Sequence, residues 1–521
     1  MNSKHSHSHI CGCCMSKASS EINRREFMAG AGAVAGTLTM ASLLAKTSFA
    51  ADADYKPARP LTLKVQPVLT AQVYKPKKQT SWRPWGGLHC KEDIAKEENR
   101  IKKELDLLKK GSEFPLEILP LITLNETEQA ANIAKGEHDV MLIYAANCSG
   151  KTLEVLTNPE KWTIIFLRHK SGPVYLWYET VQAIYLRKFS DEHKQMGVDC
   201  DDIVVDRTDE ITWRLRALYG LKNTIRKRIV AVGGAGGWGQ WGDKERQKTP
   251  QMVKDFWKMD IRSVDYKPTL EEMIKKAFAD KTLVNRCKEK CEKYLKQRGI
   301  KLETKKEFVA NAFILTEVFK SCLAEADTDA FTIQHCMGTV MPIAQTTACI
   351  PLSLLNDSGY TAYCESDFVV IPSGILLHYI SGKPSFLNDP TYPHDGVVTL
   401  AHCTAPRKMD GKKYAPARIL THFESDYGAA PKVEMKVGQK ITVIDPDFDN
   451  KRWLGFEGEI IDNPFLDICR SQIDVRINGD TRQLNQQTTG FHWMACYGNY
   501  LKEVGYALNK VGIGWLNLTK T

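Results

Sequence analysis

Apolar and polar positions follow two different rhythms along this chain. Up to about Ala324, short apolar runs alternate with segments whose apolar residues recur at helical spacing. Leu61–Gln66 has the character of a first strand, and His138–Tyr144 and Trp162–Leu167 read as strands buried in a parallel sheet. Between them, Glu92–Lys110 is a charged amphipathic helix with Ile94, Ile101, Leu105 and Leu108 along one side. Composition breaks at Asp191–Asp206, and a second alternation follows. It holds a helix at Thr212–Tyr219, a strand at Arg228–Val232 and helices at Thr269–Ala279, Leu283–Arg298 and Lys305–Ala324. Beyond Asp389 the rhythm becomes short strands and turns: Val397–Leu400, Lys432–Met435, Lys440–Ile444, Gly455–Ile461 and Gln472–Ile477, closed by a helix at Asn499–Val511. Alternating strands and helices imply α/β layers. The expected division is therefore two α/β domains, 51–200 and 201–383, and a β-rich C-terminal domain, 384–521, after a leader covering 1–50.

The candidate chemistry lies where the two rhythms meet. Thr361–Asp367 reads as a strand ending in acids, and Phe368–Ser381 is an apolar helix with Pro372 near its start and Gly382 just past its end. Lys383–Asp389 then reads as a second strand, so the segment predicts a parallel strand-helix-strand crossover with Glu365 and Asp389 on one carboxyl edge. Two carboxylates at one edge repel unless a cation or shared proton intervenes. His492, in Gly490-Phe491-His492-Trp493, supplies the nitrogen that completes a mixed oxygen and nitrogen site for a divalent metal such as Mn²⁺. On residue types alone the alternative stands beside it: acids after strands cap helices, and His492 can be a core histidine. Asp367 is read as a cap or as a partner behind the ligands.

The runs Leu354-Leu355-Asn356-Asp357-Ser358-Gly359, Cys364-Glu365-Ser366-Asp367, Ser381-Gly382-Lys383-Pro384 with Asp389, His402-Cys403, Phe491-His492-Trp493 and Tyr497-Gly498-Asn499-Tyr500 together resemble the L-fucose/L-arabinose isomerase superfamily. The likeness runs from about residue 330 to the end. It implies two Rossmann-like (flavodoxin-like) parallel-sheet domains before a β-rich C-terminal domain, and a metal held by a glutamate, an aspartate 24 residues on, and a distant histidine. Glu365, Asp389 and His492 match that pattern. The implied activity is metal-dependent aldose-ketose isomerisation through an enediol, with Glu365 and Asp389 as ligands that double as the acid-base pair and His492 as the fixing ligand. A homo-oligomer acting on a monosaccharide is expected. His402, Trp85 and Trp493 are substrate-contact candidates, the tryptophans as flat apolar faces for a sugar, against ordinary core packing for each. Where the family carries a Trp-Pro-acid turn, this chain has Gln334-His335-Cys336-Met337-Gly338, so the substrate end of the pocket differs. A sugar-binding or repurposed carbohydrate-active protein on the same scaffold, without turnover, is the competing reading.

Charge and composition change this picture little. Of 521 residues, 43% are hydrophobic and 26% charged, and the net charge of +9 comes with no basic run interleaved with aromatics, so nucleic acid is not an expected partner. Asn23-Arg24-Arg25-Glu26-Phe27 is a twin-arginine pattern, followed by an uncharged stretch to Ala45 and a small-residue site at Ser48-Phe49-Ala50. The expected mature protein is exported, periplasmic or extracellular, and free of the membrane once the leader is removed. Three of the fifteen cysteines fall in that leader, in a His/Cys tract. Cys287 and Cys291 share a helix face as an exposed or half-buried pair. Gly234-Ala235-Gly236-Gly237-Trp238-Gly239 matches a dinucleotide fingerprint as text, but no helix opens directly after it, so no nucleotide cofactor is expected. Ser149-Gly150-Lys151-Thr152 lacks the first glycine of a phosphate loop and is set aside likewise.

Overall fold

A computed structural model describes residues 55–237 and 243–519. The twin-arginine segment and the leader's His/Cys tract lie outside the described residues. The first sheet contains β1 (Leu63–Thr70), β2 (Leu116–Ile118), β3 (Ile122–Leu124), β4 (Val140–Ala145), β5 (Trp162–Leu167) and β6 (Ile203–Val205). Every pairing in it is parallel, in the order β2-β1-β4-β5-β6 with β3 also on β1. The helix Lys91–Gly111 buries Ile94, Ile101, Leu105 and Leu108 against it, the side its spacing marks. Ser149 Oγ accepts from Thr152 N at 3.2 Å and caps the helix Gly150–Leu156, which accounts for the phosphate-loop look of that stretch.

The second sheet is also parallel. Its strands are β7 (Arg228–Val232) and β8 (Asp260–Val264), then, after the separate β9 (Ile300–Leu302), β10 (Ala330–Ile333) and β11 (Thr361–Cys364), in the order β11-β10-β7-β8. The long helix Lys306–Ala326 packs on it. Cys287 and Cys291, expected to be exposed or half-buried, are 0% and 1% exposed: the helix Lys281–Leu295 turns that face inward against Lys306–Ala326.

The C-terminal strands are β12 (Phe386–Pro390), β13 (Val397–His402), β14 (Ala417–Leu420), β15 (Ala430–Val433), β16 (Lys440–Asp445), β17 (Arg452–Asp462), β18 (Ser471–Ile477), β19 (Trp493–Tyr497) and β20 (Gly514–Asn517). Six of them close on themselves: β16-β19-β12-β13-β18-β17, with β17 pairing back onto β16, all antiparallel. Closure removes the sheet edges. β20 adds to β17 in parallel, and β14 joins β15 to β9. The chain is thus mixed α/β, with two parallel layers and a β-rich C-terminal region built on a six-stranded barrel. No single helix among the described residues is long and apolar enough to cross a membrane.

The expected strand-helix-strand crossover does not form. β11 is the edge of the second sheet, but β12 enters the barrel between β19 and β13 and is antiparallel to both. A five-residue strand followed closely by another finds its hairpin partner locally, and β13 begins only seven residues after Pro390. The helix Ile371–Ser381, ended by Gly382 in the left-handed conformation, spans from one sheet to the other. Gly374 makes that close fit possible, because a Cβ there would sit 2.5 Å from Met494 Cε on β19 and 2.6 Å from the Tyr363 hydroxyl on β11. Gly374→Val should therefore destabilise the protein by about 1–3 kcal/mol through overpacking. Denaturant unfolding checks this, and an unchanged midpoint would show that the helix is free to move away.

Candidate metal centre

The turn carrying Glu365 departs from ordinary backbone geometry. Directly after β11, Glu365 and Ser366 have φ of 64° and 47°, the left-handed region that residues with a Cβ rarely occupy. Such residues cost about 1–3 kcal/mol each and persist where the surroundings hold them. Ser366 N donates to Thr332 Oγ1 at 3.1 Å. Gly236 N donates to Ser366 O at 3.2 Å, and Phe368 N donates back to Gly236 O at 3.1 Å. The glycine loop after β7 therefore braces this turn. Asp367 Oδ1 accepts from Val369 N at 3.0 Å as the chain bends into its helix.

Asp367 also reaches across to the barrel. Its other oxygen lies 2.7 Å from His492 Nδ1, with the acid 1% exposed and the imidazole 1% exposed. The sequence reads Asp367 as a cap or a partner behind the ligands; the structure shows it holding the Val369 amide ahead of the helix and the His492 ring behind the cluster. On the other edge of the ring, His492 Nε2 is 3.1 Å from Asp389 Oδ1 and 3.4 Å from Glu365 Oε2. His402 Nε2 is 3.7 Å from Glu365 Oε1. Asp389, His402 and His492 each offer an atom within 4.8 Å of the others. The imidazoles form the buried floor, while the Glu365 and Asp389 side chains remain 35% and 33% exposed at the mouth.

Two supports lie outside the motifs. Asp445, at the end of β16, accepts from Thr489 N at 2.9 Å and Gly490 N at 2.7 Å, and so fixes the loop that delivers His492. Thr404 Oγ1 sits 3.1 Å from His402 Nδ1, which leaves Nε2 aimed at the cluster. That buried nitrogen has no hydrogen-bond partner among the described residues, as a ring nitrogen awaiting a ligand would.

Strand alternation corrects one expectation. Trp493 follows His492 and so points the opposite way, into the barrel, where it is 1% exposed with its ring edge-on to Phe456 at 5.9 Å. It is core, not a sugar platform. Trp85 is 58% exposed on a loop tied to the first sheet's layer by Gly87 N donating to Val174 O at 2.7 Å, and it is not one of the residues gathered here. Cys364, whose thiol lies within 4.8 Å of donors on Glu365 and His402, enters the sequence reading only as part of the Cys364-Glu365-Ser366-Asp367 run and is given no role there. Asp445 had no local signal at all.

Electrostatics in the cluster are one-sided. Burial opposes charge on His402, but the Glu365 carboxylate and the Asp389 charge outweigh it and raise its pKa from 6.5 to about 9. His492 is likewise disfavoured by burial yet held well above the ordinary histidine value by Asp367, Asp389 and Glu365. Burial also opposes ionisation of Glu365, and the two imidazolium rings override it, holding its carboxyl well below the usual range. A site that draws protons onto both rings is one where a divalent cation can replace them. Two carboxylates and two imidazoles suit a hard or borderline ion of the Mn²⁺ kind. No family model matches this chain, and no curated protein does.

A raised histidine pKa has a definite sign in stability. The His402 contribution is complete below pH about 6.5 and is lost as pH rises through about 9. Chelator-treated protein should lose thermal stability between pH 7 and 10 more steeply than His402→Gln. Parallel melting profiles for the two proteins would remove the charge coupling.

Proposed function

We propose that this chain is a metal-dependent aldose-ketose isomerase of the L-fucose isomerase type. The observation that carries the reading is the meeting of Glu365, Asp389 and His492 within hydrogen-bond range at one open mouth, since these are the residues the family resemblance singles out. Support also comes from the layout. Two parallel sheets agree with two Rossmann-like (flavodoxin-like) domains, and the barrel agrees with a β-rich C-terminal domain. The reading includes Mn²⁺ as the ion, a monosaccharide as substrate, export by the twin-arginine route to the periplasm or beyond, and a homo-oligomer. Trp85, exposed on the first sheet's layer, suits an oligomer in which this segment closes a neighbouring subunit's pocket.

An aldose becomes its ketose when one proton moves from C2 to C1 and another from O2 to O1. A bound divalent ion supplies Lewis-acid polarisation of the two substrate oxygens. Glu365, its carboxylate at the mouth and its backbone pinned, takes the proton from C2 and returns it to C1 of the resulting enediol. Asp389 passes the hydroxyl proton from O2 to O1. His492, fixed by Asp367 on its far side, keeps both carboxylates in register.

Glu365→Gln should lower aldose-ketose conversion by about 10²-fold or more while circular dichroism stays unchanged. The assay is ketose formation from a panel of aldoses by Mn²⁺-loaded protein, with bound metal measured alongside. Metal and turnover together uphold the isomerase. Saccharide binding without turnover in the wild-type chain would overturn it in favour of a sugar-binding protein on this scaffold.

A further inference from the structure

The thiols beside the cluster have no part in the isomerase reading. β10 and β11 are parallel neighbours with Ile333 opposite Cys364, so Cys364 and Cys336, which opens the helix Cys336–Ala344, emerge at the same carboxyl edge. Each thiol bears on the other's ionisation, as neighbouring thiols do, and it is Cys364 that comes within reach of both Glu365 and His402. Both are free, Cys336 buried at 7% exposure and Cys364 partly open. Cys364 Sγ, a Glu365 oxygen and a His402 ring nitrogen lie within 4.8 Å of one another, a second group of donors beside Asp389, His402 and His492. The His402 Nε2 between them is buried and has no hydrogen-bond partner among the described residues.

We propose a second cation position here, selective for thiophilic divalent ions of the zinc class and formed by Cys336, Cys364, His402 and Glu365. Two sulfurs, one imidazole nitrogen and one carboxylate oxygen make a tetrahedral set of the kind zinc favours and Mn²⁺ does not. The two positions share residues. Glu365 turns Oε1 toward His402 and Oε2 toward His492, so its carboxylate faces both. His402 Nε2 has a single lone pair and can serve one ion at a time. An ion on the thiol side therefore takes His402 away from the Asp389 and His492 side. Zinc occupancy weakens hold on the hard ion, and the chain discriminates between metals by which side of Glu365 is filled. This competition rests on the hard-ion reading above; the thiol-side site does not.

Chelator-stripped full-length protein titrated with Co²⁺ tests the site, because cobalt bound by thiolate shows a ligand-to-metal charge-transfer band in the near ultraviolet. The band should appear in the wild type, vanish in Cys364→Ser, weaken in Cys336→Ser and survive in Asp389→Ala. Absence of the band in the wild type, or its persistence in Cys364→Ser through the thiols of Cys349, Cys403 and Cys469, which pack together nearby, would overturn the proposal. Mn²⁺ binding followed by electron paramagnetic resonance reads the other side: Zn²⁺ should displace or weaken Mn²⁺ in the wild type but not in Cys364→Ser. A cobalt-thiolate band with no Mn²⁺ binding would sink the isomerase reading and leave the thiol site standing.

Discussion

His492 and Asp367 form the contact on which the rest of the site depends. The acid belongs to the turn after the second parallel sheet, the imidazole to the loop before a barrel strand, and 2.7 Å separates them with neither accessible to water. A buried carboxylate is costly alone, and so is a buried imidazolium. Each is tolerable because of the other, so the pair ties the two sheets together at the point where the exposed acids stand. With Nδ1 committed to Asp367, only Nε2 faces Glu365 and Asp389.

Holding that contact requires strain elsewhere. Glu365 and Ser366 both adopt left-handed backbone, and the glycine loop, Thr332 and the Asp367 cap hold them there. An extended chain at Glu365 would carry the carboxylate on along the strand direction. The reversed turn instead sets it beside two rings that come from a different sheet. Asp445 performs the matching task for the barrel, using its two oxygens on the amides that precede His492.

The charge balance that results sets the character of the whole cluster. Three acids outnumber two imidazoles, so the rings gain protons when nothing else neutralises the acids. The exposed side presents oxygen and nitrogen, and the sheet side adds sulfur from Cys364. Glu365 sits on the boundary. Its Oε1 lies toward His402 and its Oε2 toward His492.

Much of this was legible in the chain. Helical spacing located Lys91–Gly111, Lys281–Leu295 and Lys306–Ala326 within a few residues, and short punctuated strands announced the β-rich end. Glu365, Asp389 and His492 stood out as candidates by residue type, with a cap and a core histidine as the open alternative, and the family resemblance singled them out. Pairing was not legible. Period-two patterning marks a strand but carries no name for its neighbour, so β12 looked like the partner of β11 when its hydrogen bonds go to β13 and β19. Nor does pattern say which way a residue faces at a strand's start, and so Trp493 stood beside His402 as a substrate-contact candidate although its ring lies in the barrel. Local sequence determined the elements and the reactive groups, since both follow from short-range periodicity and side-chain chemistry. Tertiary structure alone decided that Asp367 meets His492, that Asp445 holds its loop and that His402 comes within reach of Glu365 and the Cys364 thiol, because contacts between residues far apart in the chain depend on how whole sheets pack.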